Sequence, residues 1–142
     1  MSTGGSFYVL SDEELEQLLD DGEEGFEAFM HDSHEREYFS EQEWYWYELT
    51  ELLDDEGVRG ELADFAEDVG CGVGYAFAED VRIIAEALSR LTDEDIGERF
   101  EDMRDIMGRM TLEEMLELVK GLSAFYQKAS KNGAAILFVA MS

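Results

Sequence analysis

Two histidines, His31 and His34, stand three residues apart, with Asp32 between them and Glu35 following. On a helix the two imidazoles would share one face, and imidazole together with carboxylate is a ligand set that binds zinc. The chain contains 2 histidines in all, so no second histidine pair can complete a tetrahedral site. The pattern therefore favours a solvated segment after a short helix, and we predict no metal site.

A second candidate for chemistry is the glycine-rich segment 70–75, which reads Gly-Cys-Gly-Val-Gly-Tyr. Glycine-rich loops can cradle phosphate with backbone N–H groups, but this segment lacks both the P-loop lysine and the GxGxxG spacing. The surrounding acidic residues would also repel an anion. We interpret the segment as a tight turn that needs positive φ. The alternative functional hypothesis is a small-ligand or enzymatic site at this turn, formed by Gly70, Cys71, Gly72, Gly74 and Tyr75.

The remaining reactive groups favour a non-enzymatic protein without a cofactor. Cys71 is the single cysteine, and its acidic neighbours disfavour the thiolate that a nucleophile needs. One cysteine forms no internal disulfide, so a reducing, cytoplasmic setting is predicted. The acidic run 54–56 lacks the ligand spacing of a calcium loop. With 36 Asp and Glu in the chain, carboxylate pairs for acid–base catalysis are too numerous to choose among.

The charge is distributed unevenly along the chain. Residues 1–70 contain 23 Asp and Glu and two Arg, whereas residues 71–142 contain 13 Asp and Glu and eight Lys and Arg. The net charge of the whole chain is -26. Such a field repels nucleic acid and anionic membranes and speeds the encounter with a basic protein. Adaptation to high salt is the alternative explanation, but it would spread the acidic residues evenly over both halves. The asymmetry therefore favours a directed acidic face.

An aromatic run, Trp-Tyr-Trp-Tyr at 44–47, lies within this acidic half. Successive helical residues point about 100° apart, so the four rings cannot all face one core. Helical spacing predicts that Tyr45 and Trp46 point inward and that Trp44 and Tyr47 lie at the surface. Aromatic anchors ringed by charges are typical of interface hot spots. The predicted partner-binding face is Glu41, Glu43, Trp44, Trp46, Tyr47, Glu48, Glu51, Asp54 and Asp55.

These observations lead to the main functional hypothesis, a non-enzymatic acidic binding protein. Its concrete form is an immunity protein or inhibitor that neutralises a basic toxin or other cationic enzyme by masking the active site. Steering by the acidic field would bring the two proteins together before aromatic anchors are buried. No direct contact with nucleic acid or membrane is expected, although a nucleic-acid mimic would share the acidic surface.

Local signals predict the elements that position these residues. Capping boxes at Ser11 with Glu14, Ser40 with Glu43, and Thr111 with Glu114 each predict a helix start. Residues 6–10 and 134–140 are predicted strands, because they are short, apolar and rich in β-branched or aromatic residues. Hydrophobic periodicity predicts helices over 11–21, 40–54, 61–69, 79–91 and 111–131, together with short helices around 26–30 and 92–100.

Length and composition bound the architecture. A chain of 142 residues that is 45% hydrophobic forms one domain with a sizeable core. The longest apolar run, 134–141, is far shorter than the roughly 20 residues of a membrane span. The two terminal strands are expected to pair, because a lone strand would leave its backbone groups unpaired. We therefore predict an α+β fold: a mainly helical single domain over residues 1–142 with a small sheet that pairs the N- and C-terminal strands.

Several of these pieces, in this order, resemble the YfbM-like family, a bacterial family of unknown function. The family opens with a strand and an acidic Ser/Asp-Glu-Glu-Leu-x-x-Leu-Leu helix, as residues 6–19 do here. The resemblance continues through a Trp-containing helix, a Gly-rich segment, a Val-x-x-Ile-Ala-x-x-Leu helix and a final Phe-Tyr-x-x-Ala-x-x-x-Gly-x-Ala pattern, at 44–53, 70–76, 81–88 and 125–135. It implies an α+β fold and brings no catalytic residues.

Overall fold

The computed structural model describes residues 4–32, 36–40 and 45–141, and its centre is an antiparallel five-stranded sheet. The strand order is β2-β1-β5-β4-β3. The N- and C-terminal strands pair along their whole length, from Gly4 opposite Met141 to Leu10 opposite Ala135. The predicted pairing of the two termini is therefore confirmed. The strands are β1 Gly4–Leu10, β2 Tyr38–Phe39, β3 Glu61–Leu62, β4 Gly72–Ala76 and β5 Ala135–Met141.

Helices cover both faces of this sheet. In chain order they are α1 Asp12–Asp21, α2 Glu23–Asp32, α3 Trp46–Leu52, α4 Ala66–Val69, α5 Ala78–Ser89, α6 Asp93–Asp102, α7 Arg104–Met107 and α8 Leu112–Lys131. The capping boxes predicted at Ser11 and Thr111 are present, and Thr92 forms another with Asp95. The Ser40 box lies partly outside the described residues, because Glu43 is not among them.

The pleat of β5 separates the interior into two cores. Ile136, Phe138 and Ala140 pack beneath α3 and α5–α8, whereas Ala135, Leu137 and Val139 pack beneath α1, α2 and α4. Alternate residues of a strand point to opposite faces, so a strand covered on both sides is apolar throughout. This burial explains the continuous apolar run at the C-terminal end of the chain. The fold is thus a single α+β domain of three layers.

The segment 70–75 corrects the sequence prediction, because most of it is a strand and not a tight turn. Gly70 alone of its glycines has positive φ, at 69°. Gly72 and Gly74 are extended and pair with Ala140 and Phe138 of β5. Glycine usually weakens a strand, so its presence argued against β structure. The sheet accepts it here because the main chain of residue 59 crosses directly over Gly74.

Two helix predictions also need correction. Residues 61–69 divide into the edge strand β3 and the short helix α4, and Leu62 of β3 is 71% exposed. In the described part of the chain, the helix predicted over 40–54 begins at Trp46 and ends at Leu52. Tyr45 precedes that helix with φ −120° and ψ 21° and is 38% exposed, so its predicted inward orientation is wrong. Trp46 does pack against the core, as predicted.

Candidate functional site

The sheet also divides the charge of the helices. Helices α1, α2 and α4 contain 12 Asp and Glu and no Lys or Arg. The helices of the opposite face, α3 and α5–α8, contain 15 Asp and Glu against six Lys and Arg. We call α1, α2 and α4 the acidic layer. The acidic half of the sequence is therefore divided by the sheet: α1, α2 and α4 form one helical face without Lys or Arg, and α3 lies on the opposite face.

A groove of about 440 Å³ runs between α1 and α2 in the acidic layer. The two helices approach closely because the third residue of α2 is a glycine: a Cβ at Gly25 would lie 2.7 Å from Asp21 Cβ. Buried Leu18 and Phe29 give the groove an apolar floor, and Glu13 and Asp32 are among its exposed lining residues. The groove therefore offers an apolar base between acidic edges.

Among the described residues that line this groove, Arg36 is the cation, and it is already paired. Its Nη2 donates to Glu14 Oε2, and its guanidinium carbon lies 4.7 Å from the centre of the Phe29 ring. The hydrogen bond from Arg36 lowers the pKa of the Glu14 carboxyl, and the bond from the Ser11 backbone in the capping box acts in the same direction. Glu13, Asp21 and Asp32 take part in none of the salt bridges among the described residues.

On the other face, the aromatic residues of α3 surround an arginine. Arg59 Nε donates to Thr50 Oγ1 at 2.8 Å, and Arg59 Nη2 lies 2.9 Å from Glu51 Oε1. The guanidinium carbon is 5.6 Å from the centre of the Tyr47 ring and 6.0 Å from that of Trp46. This part of the predicted partner face is therefore stabilised internally by a cation–π and ion-pair cluster.

A second cavity, also of about 440 Å³, lies between this cluster and strand β4. Gly72 leaves the sheet open on this face, the main chain of residue 59 covers Gly74, and Phe138 continues the floor on β5. Trp46 and Arg59 line the cavity from α3 and from the segment before β3. The cavity brings together Trp46 from the predicted partner face and two glycines from the predicted ligand site.

The predicted partner face is only partly described. Glu41, Glu43 and Trp44 lie outside the described residues. Tyr47 is 46% exposed, as predicted. Glu48 is half-buried, and Glu51 is engaged with Arg59. The exposed carboxylates Asp54 and Asp55 line a shallow pocket together with Arg99.

The predicted ligand-site residues do not form one site. Cys71 and Tyr75 pack on the side of the acidic layer, opposite to the face of Gly72 and Gly74. Cys71 Sγ lies 3.6 Å from the Val69 carbonyl oxygen. The Tyr75 hydroxyl donates a hydrogen bond to Glu61 Oε2 at 3.1 Å. Burial is the main cause that raises the pKa of Tyr75, and this hydrogen bond is the next.

Sequence reasoning missed Arg59, Leu62 and Phe138 as lining residues of the second cavity. One signal was available: Arg59 is one of two arginines among the first 70 residues. In the ranges 4–32, 36–40 and 45–141, no three His, Cys, Asp or Glu side chains are placed to bind a metal ion. The helices described there include none with the length and apolar character needed to cross a membrane.

The sequence profile of a family described as "Domain of unknown function (DUF1877)" matches residues 1–139. The chain belongs to the DUF1877 family. A solved structure titled as a protein of unknown function, YfbM from Escherichia coli, is 15% identical and superposes with a TM-score of 0.68. The match covers 97% of this DUF1877 chain and 99% of the YfbM chain, so the two share a fold. A comparison with curated proteins gave no match. The resemblance to the YfbM-like family is therefore confirmed.

Proposed function

We propose that this protein is a non-enzymatic binding protein that docks a basic protein on its acidic layer. The observation that carries the proposal is the set of 12 acidic residues without Lys or Arg on α1, α2 and α4. Clustered charge of one sign steers an oppositely charged partner and raises the association rate. The α3 surface is the weaker docking face, because Arg59 and Arg99 offset its carboxylates.

The groove between α1 and α2 gives the proposal a geometry. Glu13, Gln17 and Asp21 follow one another at intervals of four residues along one face of α1, a distance of about 12 Å at 1.5 Å per residue. A helix that presents Lys or Arg on successive turns matches this length. Its basic side chains would face Glu13, Asp21 and Asp32, and an apolar side chain between them would contact Phe29.

The concrete biological form is an immunity protein or inhibitor in the cytoplasm. A cationic toxin or other basic enzyme would be captured through a basic helix or loop near its active site, and the bound acidic protein would block access of its substrate. Because the attraction is electrostatic at long range, the association rate constant should fall steeply as salt rises.

The test is affinity capture from a lysate of the source cells at low salt with two matched variants. Glu13→Gln with Asp32→Asn removes two charges that line the groove. Glu16→Gln with Glu27→Gln removes two exposed charges from the same helices outside it. We expect one stoichiometric basic protein whose affinity falls about tenfold with the groove pair, or about 1.4 kcal/mol, and much less with the control pair.

The captured protein is then purified and assayed with and without the acidic protein. Inhibition at a one-to-one ratio supports the inhibitor form of the proposal. Absence of any stoichiometric basic partner at low salt would refute the binding function. Equal retention by both variant pairs would refute the groove while leaving general electrostatic docking in place.

A further inference from the structure

The cavity beside β4 has the dimensions and lining of a small-molecule site. Its volume of about 440 Å³ lies within the range of ligand pockets, and its lining is mainly apolar, with Trp46, Leu62 and Phe138 contributing. It lies on the opposite side of the sheet from the acidic layer. Its occupant is therefore independent of the basic partner proposed above.

The floor of the cavity favours a flat ligand. Gly72 presents only main chain on this face, and a Cβ there would meet nothing closer than Ala140 Cβ at 3.5 Å, whereas the main chain of residue 59 covers Gly74. A planar ring can therefore lie on the strand at Gly72, beside the rings of Trp46 and Phe138, whose centres are 6.0 Å apart. Aromatic side chains favour such edge and stacking contacts.

The polar chemistry of the cavity comes from Arg59. Its Nε is bonded to Thr50 Oγ1, but Nη2 is buried and has no hydrogen-bond acceptor. Nη2 lies 2.9 Å from Glu51 Oε1, which forms an ion pair without hydrogen-bond alignment. Nη2 is closed off from the cavity by this burial. Nη1 donates none of the described hydrogen bonds and is not among the buried polar atoms, and the Arg59 side chain is 34% exposed, so Nη1 is the donor that an acceptor on a ligand can bond.

The charge of the acceptor follows from the surroundings. Glu51 already neutralises Arg59, and the net charge of the whole chain is -26. A second anion would be repelled, whereas a carbonyl or ring oxygen accepts the hydrogen bond without that repulsion. We propose that this cavity binds a planar, uncharged small molecule that presents a carbonyl or ring acceptor to Arg59 and stacks its ring on β4 beside Trp46.

The experiment titrates the full chain with a panel of neutral bicyclic lactones and lactams, including coumarin, and follows amide signals by NMR. Naphthalene has the same shape without the acceptor, and coumarin-3-carboxylate adds a negative charge. We expect a lactone or lactam to shift the amides of Gly60, Gly72 and Gly74. The two controls should bind about tenfold more weakly, which corresponds to about 1.4 kcal/mol.

A matched pair of variants locates the site. Gly72→Leu places a side chain in the cavity, whereas Gly97→Leu places one on α6, where a Cβ would meet only Leu112 Cδ2 at 3.8 Å. With both variants shown to be folded by circular dichroism, Gly72→Leu should weaken binding about tenfold or more, and Gly97→Leu should leave it unchanged. Arg59→Met should remove the preference for lactones over naphthalene.

The proposal is overturned if no panel member shifts the cavity amides at millimolar concentration. It is also overturned if Gly72→Leu binds as well as Gly97→Leu, or if coumarin-3-carboxylate binds more tightly than coumarin. None of these results bears on capture of a basic protein by the acidic layer, which is measured separately.

Discussion

Replacement of Gly72 and Gly74 by alanine, one at a time, should have opposite effects on stability. The two glycines lie two residues apart on the same strand and face the same cavity. A Cβ at Gly74 would lie 1.7 Å from the carbonyl oxygen of Arg59, whereas the nearest atom to a Cβ at Gly72 is 3.5 Å away. Both residues are outside the left-handed region, so backbone strain does not enter.

The expected magnitudes follow from these distances. Side-chain Cβ atoms do not approach other heavy atoms closer than 3.0 Å, so Gly74→Ala forces the chain at residue 59 back by about 1.3 Å. Such overpacking costs about 3 kcal/mol, which lowers the melting temperature by about 9 °C in a domain of this size. Gly72→Ala reduces the entropy of the unfolded chain and should stabilise by about 0.5 kcal/mol, or about 2 °C.

The assay is thermal and urea unfolding of both variants beside the parent, followed by circular dichroism. A Gly74→Ala variant that melts within about 2 °C of the parent would show that residue 59 does not cross β4 this closely. A Gly72→Ala variant as unstable as Gly74→Ala would show that β4 needs glycine for another reason. Either result would refute the packing argument for this strand.

Three further predictions concern single polar groups. Asp12→Ala should lower the free energy of unfolding in urea by about 1 kcal/mol, because Asp12 Oδ1 accepts a 2.8 Å hydrogen bond from the N–H of Ala78 at the start of α5. Asp12→Asn keeps an acceptor and should lose less stability. Tyr126→Phe should cost about 1 kcal/mol, since the buried hydroxyl donates to a backbone carbonyl. Burial raises the pKa of Tyr126 above its ordinary 10.0, so above pH 10 only the unfolded chain loses this proton. The stability of the parent should therefore fall as the pH rises above that value, and the stability of Tyr126→Phe should fall less. Arg36→Met should raise the pKa of Glu14 toward its ordinary 4.5 in an NMR titration; an unchanged value would place the cause in the capping box.

Local chemistry made much of the fold predictable. The boxes at Ser11 and Thr111 each consist of residues three apart, so their interactions depend on no distant part of the chain. The apolar run of β5 likewise predicts a strand that is buried on both faces. β4 could not be predicted in this way, because the atom that requires glycine at position 74 belongs to Arg59 and reaches it only through the tertiary fold.

The candidate site shows the same limit. The sequence predicts an acidic half, but the side of the sheet on which each acidic helix lies depends on the strand order. The prediction combined the aromatic residues of α3 with the acidic field, whereas the fold places α3 opposite α1 and α2. Only the common face of β4 and β5 brings Trp46 next to Gly72 and Gly74.

The separation of charge and cavity has a consequence for both proposals. β5 lies between the cavity and the acidic layer and is buried on both faces. The hydrogen bond from the N–H of Ala78 to Asp12 Oδ1 is a direct contact between α5 on the cavity side and α1 in the acidic layer. Two sites influence each other only if a ligand at one shifts an element that the other also biases. A strand that is packed on both faces leaves little room for such a shift. Occupation of the cavity should therefore leave the affinity for a basic partner unchanged, and a measured coupling above about tenfold would require that the sheet itself has two arrangements.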